Sequence, residues 1–382
     1  MKFSLALTAL AVSTTVTALY IPEKSSKEQL YTIELAPGET QLVTESQKWE
    51  LLRQGKYFID ITDYQHIDSR RVAVAKVTYP TSISHQDAVK PLLSKLSADN
   101  MQKNLEKYSS FNNRYYKSAT GKQASQWLLQ QVQDIITSSS TGGNATVAAT
   151  VKPFVHPKWG QTSIIATVPG KSAKTIVVGA HLDSINLQDP QNGRAPGADD
   201  NGSGSMTILE AFKALMSDLA VVSGQAANTI EFHWYSGEEA GLLGSQAVFA
   251  QYKKDKRDVK AMLNQDMTGY TKGTIAAGRK PELGVITDNV DKNLTAYIKK
   301  IIAAYCAIPA VDTECGYACS DHASANRNGY PSAFVIESTM DNSSESIHSP
   351  EDTIDTVDFK HAVEHAKMVV GFAYELGFAD GL

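Results

Sequence analysis

Residues 175–184 read Thr-Ile-Val-Val-Gly-Ala-His-Leu-Asp-Ser, and the fold turns on this stretch. Thr175 to Val178 is a short, continuous, β-branched apolar run, the pattern of a strand covered on both faces. It gives way at once to a polar pair, His181 and Asp183. Three further stretches repeat the layout. Thr229–Tyr235 leads into Ser236-Gly-Glu-Glu-Ala-Gly241, Ala261-Met-Leu263 into Asn264-Gln-Asp266, and Ala333-Phe-Val-Ile336 into Glu337. Apolar residues recur at helical spacing in Gln123–Ile136, Ser205–Leu219, Leu294–Ala304 and Phe359–Leu376. This alternation predicts an α/β fold with a mostly parallel or mixed central sheet and helices on both faces. Ligands in such sheets sit beyond the carboxyl ends of the strands. Four polar strand ends therefore point to one rim as the site.

The rim residues share a chemistry. Two imidazoles and three or more carboxylates suit a pair of borderline dications. Zinc takes His nitrogen and carboxylate oxygen and keeps one position open in a catalytic site. Two such ions about 3.5–4 Å apart can clamp both the attacking and the departing atom of a hydrolysis. His181 and Asp183 are two apart, so in an extended segment they project to one side. His181 is read as a ligand and Asp183 as the acceptor that fixes its tautomer.

Asp199 and Asp200 lie in a loop with Gly197, Gly202 and Gly204, and glycine lets backbone approach a ligand closely. Asp200 is assigned to both cations, with Asp199 in support. Glu238 and Glu239 point apart, so Glu239 is read as a ligand and Glu238 as the general base. Asp266 and His348 complete the set. Tyr317, inside Cys315-Gly-Tyr-Ala-Cys319, could hydrogen-bond an oxyanion.

Each motif alone has a duller reading: a surface polar pair, a solvated acidic turn, an acidic first helical turn, an exposed loop histidine. Their joint placement lifts them above it. His361-Ala-Val-Glu-His365 matches an inverted zinc-helix pattern, yet no strand end supplies its carboxylate, and it is set aside. His233 is read as a core residue within its strand.

The chain has 382 residues and a net charge of -5. No basic stripe suggests a nucleic-acid partner. Lys2, the apolar run Phe3–Val12 and the small residues ending at Ala18 have the layout of a signal peptide, residues 1–18. No other run nears the roughly 20 apolar residues of a membrane span. A secreted, extracellular monomer without a membrane partner is expected.

Residues 19–85 are rich in Lys, Glu, Gln and Ser, carry the alternating run Val72–Val77, and hold no chemistry-bearing motif. With the dibasic pair Arg70-Arg71, they read as a prosegment ending between about residues 72 and 85. The catalytic domain would cover 86–382. The alternative is an N-terminal subdomain kept for life.

An oxidising compartment favours a Cys315–Cys319 disulfide; a zinc pair at that spacing lacks a second soft pair. Cys306 is left as a buried thiol within a helix. Sequons mark Asn144, Asn293 and Asn342 for glycosylation. Asn201 also fits the pattern but lies in the acidic loop, where a glycan would block the site, and is expected bare. Ser138–Gly143 reads as a loop.

Assembled in order, these motifs resemble the secreted bacterial and fungal dizinc aminopeptidases, most of all the fungal extracellular leucine aminopeptidases, over roughly residues 85–382. The resemblance rests on Ala180–Ser184, Pro196–Gly204, Ser236–Ser245, Asn264–Met267, Cys315–Cys319 and Ile347–Pro350. It implies two zinc ions per chain, with His181 and Asp266 on one and Glu239 and His348 on the other. Asp200 would bridge them, and Glu238 would be the base for a water shared by both. It further implies peptide substrates with a free N-terminus, leucine or another apolar residue preferred there. Related fungal enzymes are made with a prosegment. The alternatives are another zinc exopeptidase or a cyclase on the same scaffold, or a non-catalytic binding module.

Overall fold

The four apolar runs that lead into polar residues (175–178, 229–235, 261–263 and 333–336) become strands of one eight-stranded sheet in the computed structural model, which describes residues 28–67, 72–140 and 148–382. Near the N-terminus lie β1 (Tyr31–Ala36), β2 (Glu39–Val43) and β3 (Ile59–Asp60). There follow β4 (Thr150–Phe154), β5 (Ser163–Val168), β6 (Ser172–His181) and β7 (Asn228–Tyr235). The last four are β8 (Val259–Gln265), β9 (Leu283–Ile286), β10 (Ala310–Thr313) and β11 (Ser332–Ile336). The large sheet has the order β10-β9-β11-β8-β6-β7-β5-β4. Its centre, β11-β8-β6-β7, is parallel, and antiparallel β9 and β5 flank it. The sheet is mixed, with its parallel part holding all four polar strand ends.

Side chains alternate across the sheet. Ile176, Val178 and Ala180 of β6 pack with Phe232 and Trp234 of β7 beneath helices Gly204–Leu215, Lys292–Tyr305 and Phe359–Gly377. Val177 and Tyr235 face the other way, onto helices Leu243–Lys254 and His322–Arg327. Both faces are covered, so these strands read as unbroken apolar runs. No helix among the described residues is long and apolar enough to cross a membrane.

Several expectations need correcting. Ser138 is no loop residue, because helix Ala119–Ser140 runs on through it. The alternating run Val72–Val77, to which no element was assigned, joins no ladder, and Ala75 N–H donates to Gly329 O at 3.0 Å. The helix expected to begin at Glu238-Glu239 starts only at Leu243, since Gly241 and Leu242 take positive φ values of 104° and 61°. Cys306 follows helix Lys292–Tyr305 and is half-buried. The signal-peptide reading, Arg70-Arg71 and Asn144 lie outside the described residues.

The N-terminal unit pairs β2-β1-β3 with helix Glu45–Arg53. Thr44 Oγ1 accepts the Gln47 N–H at 3.3 Å, and Gln47 Oε1 accepts the Thr44 N–H at 2.8 Å. That reciprocal pair is a capping box. Trp49 packs on Tyr115, Tyr116 and Ile185, and Ile59 and Ile61 on Leu242 and Ala323. The buried Lys48 ammonium meets Asp60 at 2.9 Å. Burial lowers the Lys48 pKa despite that carboxylate. Asp60 N–H donates to Gly241 O at 3.1 Å. The unit is therefore seated on the loops that follow β6 and β7.

Candidate metal centre

His181 ends β6, Asp266 follows β8, and the Ser236–Glu239 turn follows β7. Asp200 lies in the distorted turn Ala198–Ser203 ahead of helix Gly204–Leu215, and His348 in the loop beyond β11. The fold brings all five proposed ligands together. His181 Nε2 stands 3.1 Å from Asp200 Oδ1 and 3.3 Å from Asp266 Oδ1. His348 Nε2 stands 3.0 Å from Asp200 Oδ2 and 3.0 Å from Glu239 Oε2. The two oxygens of Asp200 thus face different imidazoles. His181, Asp200 and Asp266 form one three-donor group, and Asp200, Glu239 and His348 a second.

These spacings fit a cation pair. Tetrahedral zinc with bonds of about 2.0–2.1 Å holds its ligand atoms about 3.3 Å apart, close to the separations between imidazole and carboxylate here. Glu239 Oε1 is buried without a hydrogen-bond partner. Burial disfavours the charged His181 imidazole, yet Asp266 and Glu238 outweigh it and hold its pKa well above the usual value. His348 is likewise raised, Glu239 and Asp200 overcoming burial. Burial pushes the Glu238 carboxyl well up and that of Glu239 up to about 7. Carboxylates crowded out of water behave this way until positive charge compensates them. Two dications would supply that charge.

Behind the donors, backbone-directed hydrogen bonds lock the loops. Asp183 Oδ1 stands 3.5 Å from His181 Nδ1, beyond a firm hydrogen bond. Its bonds go instead to the backbone N–H groups of Glu238 and Glu239, at 3.0 and 3.3 Å. Asp183 therefore ties the β7 turn to the end of β6, a role the spacing alone did not disclose. The carboxylate of Asp352 accepts both Asp199 N–H and Asp200 N–H, at 2.9 and 3.0 Å. Ser320 Oγ donates to Asp266 Oδ2 at 2.6 Å.

Arg114, fully buried, donates to Leu182 O at 3.0 Å, to Gly197 O at 2.8 Å and to Pro196 O. The sequence reading overlooked Arg114, Asp352 and Ser320. The one signal for Arg114 was a charged residue amid aromatics, in Asn113-Arg-Tyr-Tyr116.

Glu337 shares the strand-end pattern but turns inward, accepting from Tyr270 N–H, Ser343 Oγ and Ser344 N–H. A Cβ on Gly204 would stand 2.5 Å from Gln265 O; this glycine serves close packing of backbone rather than approach to a ligand. His361 directs Nδ1 at Thr268 O and Nε2 at Glu282 O, both at 3.0 Å. His365 Nδ1 meets Gln265 Oε1 at 2.9 Å. Both rings are buried in the core, and neither belongs to a donor group. His233 is fully buried between Tyr235 and Glu231.

Asn201 is also fully buried, its amide donating to Gln265 O at 2.9 Å. Asn293 is exposed, and the half-buried Asn342 donates to Thr339 Oγ1 at 2.9 Å.

Asp200, Glu239, Asp266 and His348 open into a cavity of ≈ 490 Å³ that Glu238 and Tyr317 also line. One wall is apolar: Met267, Phe334, Ile336, Met340, Ile347 and the Cys315–Cys319 disulfide. Leu52, Tyr57 and Phe58 of the N-terminal unit line the cavity as well. The Tyr57 ring stacks on Tyr317, centroids 4.5 Å apart and planes 10° off parallel.

Residues 163–373 match the model of peptidase family M28. The probable leucine aminopeptidase 1 of Trichophyton verrucosum is 55% identical over 376 residues, covering 98% of this chain and all of that protein. Leucine aminopeptidase 1 of Arthroderma otae is 56% identical over the same span. Among solved structures, the LapA aminopeptidase of Legionella pneumophila superposes with a TM-score of 0.77 at 28% identity. That match covers 91% of this chain and 94% of that one. The resemblance drawn from the motifs therefore holds at the level of the whole chain, which belongs to peptidase family M28 and is a peptide-bond hydrolase.

Proposed function

We propose that this peptidase is an extracellular leucine-type aminopeptidase that works with two zinc ions. The observation that carries this reading is Asp200, whose two oxygens each lie about 3 Å from a different imidazole. His181 and Asp266 would hold one ion, Glu239 and His348 the other, and Asp200 both. When bound, the ions supply Lewis acidity and an activated water. Glu238, standing free of both donor groups at the cavity, takes the proton of the attacking water and passes it to the leaving amine. The Tyr317 hydroxyl donates to the oxygen on which negative charge develops. The apolar wall receives the side chain of the N-terminal residue, which supports leucine or another apolar residue there. The chain's likeness to the leucine aminopeptidases 1 of Trichophyton verrucosum and Arthroderma otae supports the same preference. Both donor groups are complete, which favours a two-ion peptidase over a one-ion cyclase.

Hydrolysis of Leu-p-nitroanilide tests this directly. The purified active enzyme should cleave it, leave N-acetyl-Leu-p-nitroanilide intact, and lose activity on chelation until zinc is restored. Cleavage of the acetylated substrate at a comparable rate would rule out an aminopeptidase.

Residues 19 to about 72–85 act as a prosegment that covers the mouth, behind a signal peptide at 1–18. Supporting this, Leu52, Tyr57 and Phe58 line the cavity, and Asp60 is hydrogen-bonded to the Glu238–Gly241 turn. A cover that opens as a minor state holds the free site at about 0.1–10%. Cutting the chain after Arg71 and removing the released piece is therefore expected to raise kcat/KM about 10- to 1,000-fold. In the uncut chain, Tyr57→Ala should recover part of that gain. Equal activity before and after cutting would make the unit a permanent subdomain. Asn144, Asn293 and Asn342 carry N-glycans in this reading, and peptide mapping checks each.

A further inference from the structure

The ring that carries Tyr317 is anchored from outside the catalytic cavity. Strand β9 ends at Ile286, and Thr287 N–H extends its parallel pairing with β10 by donating to Thr313 O at 3.0 Å. At the next position the backbone ladder stops and a side chain takes over. Asp288 Oδ1 accepts the Cys315 N–H and Oδ2 the Gly316 N–H, both at 3.0 Å. Two successive backbone amides make a concavity suited to an anion, and here the protein fills it with its own carboxylate. Gly316 takes a φ of 81°, which turns the chain between those amides and Tyr317. On the far side of the disulfide, Ser320 Oγ donates to Asp266 and accepts from Asn264 Nδ2 at 2.8 Å. Tyr317 thus hangs between two anchors, one on a metal-site carboxylate and one on Asp288.

We propose that Asp288 is a positioning residue for the reaction: by accepting the Cys315 and Gly316 amides it holds the disulfide ring so that the Tyr317 hydroxyl stands over the scissile carbonyl. Charged acceptors make the stronger hydrogen bonds, and a carboxylate can take both amides at once. Asparagine cannot, because its NH₂ group would face one of the two N–H donors. The disulfide closes the ring without orienting it against the sheet, and Asp288 supplies that orientation. The proposal rests on the reading of Tyr317 as the oxyanion donor.

A double-mutant cycle on the purified active enzyme tests it. Tyr317→Phe should lower kcat about 100-fold, the scale of one lost oxyanion donor. Asp288→Ala should lower kcat about tenfold with KM within about twofold and zinc content unchanged, a split a purely structural defect would not give. In the Tyr317→Phe background, Asp288→Ala should change kcat by less than about twofold, since coupled residues are non-additive. Should Asp288→Ala fail to fold, Asp288→Asn runs the same cycle with a smaller loss.

Losses that multiply in the double variant, or wild-type kcat in Asp288→Ala, would overturn the positioning role and leave Tyr317 as read. Wild-type kcat in Tyr317→Phe would remove the Tyr317 reading and the proposal with it.

Discussion

Glu238→Ala is expected to keep both metals and to lose about 10²- to 10⁴-fold in kcat, the worth of a well-placed general base. The expectation follows from where Glu238 sits relative to its neighbour. Glu239 turns its Oε2 onto His348 at 3.0 Å, inside one donor group. Glu238 belongs to neither group, yet it lines the same cavity. Its backbone N–H is held by Asp183 at 3.0 Å, so truncating the side chain leaves the turn tied down. Metal content by mass spectrometry should therefore match the wild type while turnover of Leu-p-nitroanilide collapses. KM should move little, because the carboxylate acts on the proton in flight and not on the resting substrate. Near-normal turnover would remove Glu238 from the base role.

What could be read in advance divides along a physical line. His181, Glu239 and Asp266 stood out because each follows a strand end, and Asp200 because it sits in a glycine-rich turn; His348, in a loop with neither signal, stood out only in the company of the other four. Strand ends declare themselves through hydrophobic periodicity. The same rule could not separate Glu337 from them. It too follows a buried strand, but three donors from Tyr270, Ser343 and Ser344 claim its oxygens.

The residues that hold the loops were illegible for a different reason. Arg114 reaches Leu182 across 68 positions, and Asp352 reaches Asp199 across 153. Such side chains satisfy buried backbone groups, and local sequence carries no record of which backbone they will meet. The N-terminal unit shows both cases at once. Its capping box at Thr44–Gln47 is written in the chain, but the seating of Tyr57 on Tyr317 is a matter of tertiary docking.

Asp200→Ala should be the more drastic change, because one side chain serves both donor groups. His181 would keep only Asp266 within 3.3 Å, and His348 only Glu239. Two protein donors per ion fall short of the three that catalytic zinc sites use. Zinc content is expected to fall from about two ions per chain to below about one, and activity by at least about 10³-fold, since the ions contribute several kcal/mol to the transition state. The loss should also appear as stability, because an ion that binds only the folded chain adds to its free energy of unfolding. Asp200→Ala should therefore melt lower than wild type in zinc, and should respond less to chelation.

Glu239→Ala supplies the internal comparison. It strips one donor group and leaves His181, Asp200 and Asp266 complete, so it should retain about one ion where Asp200→Ala retains less. If Asp200→Ala instead bound two zinc ions and differed from wild type no more than Glu239→Ala does, the shared carboxylate would have no special place. The site would then be two separate metal groups that happen to be adjacent.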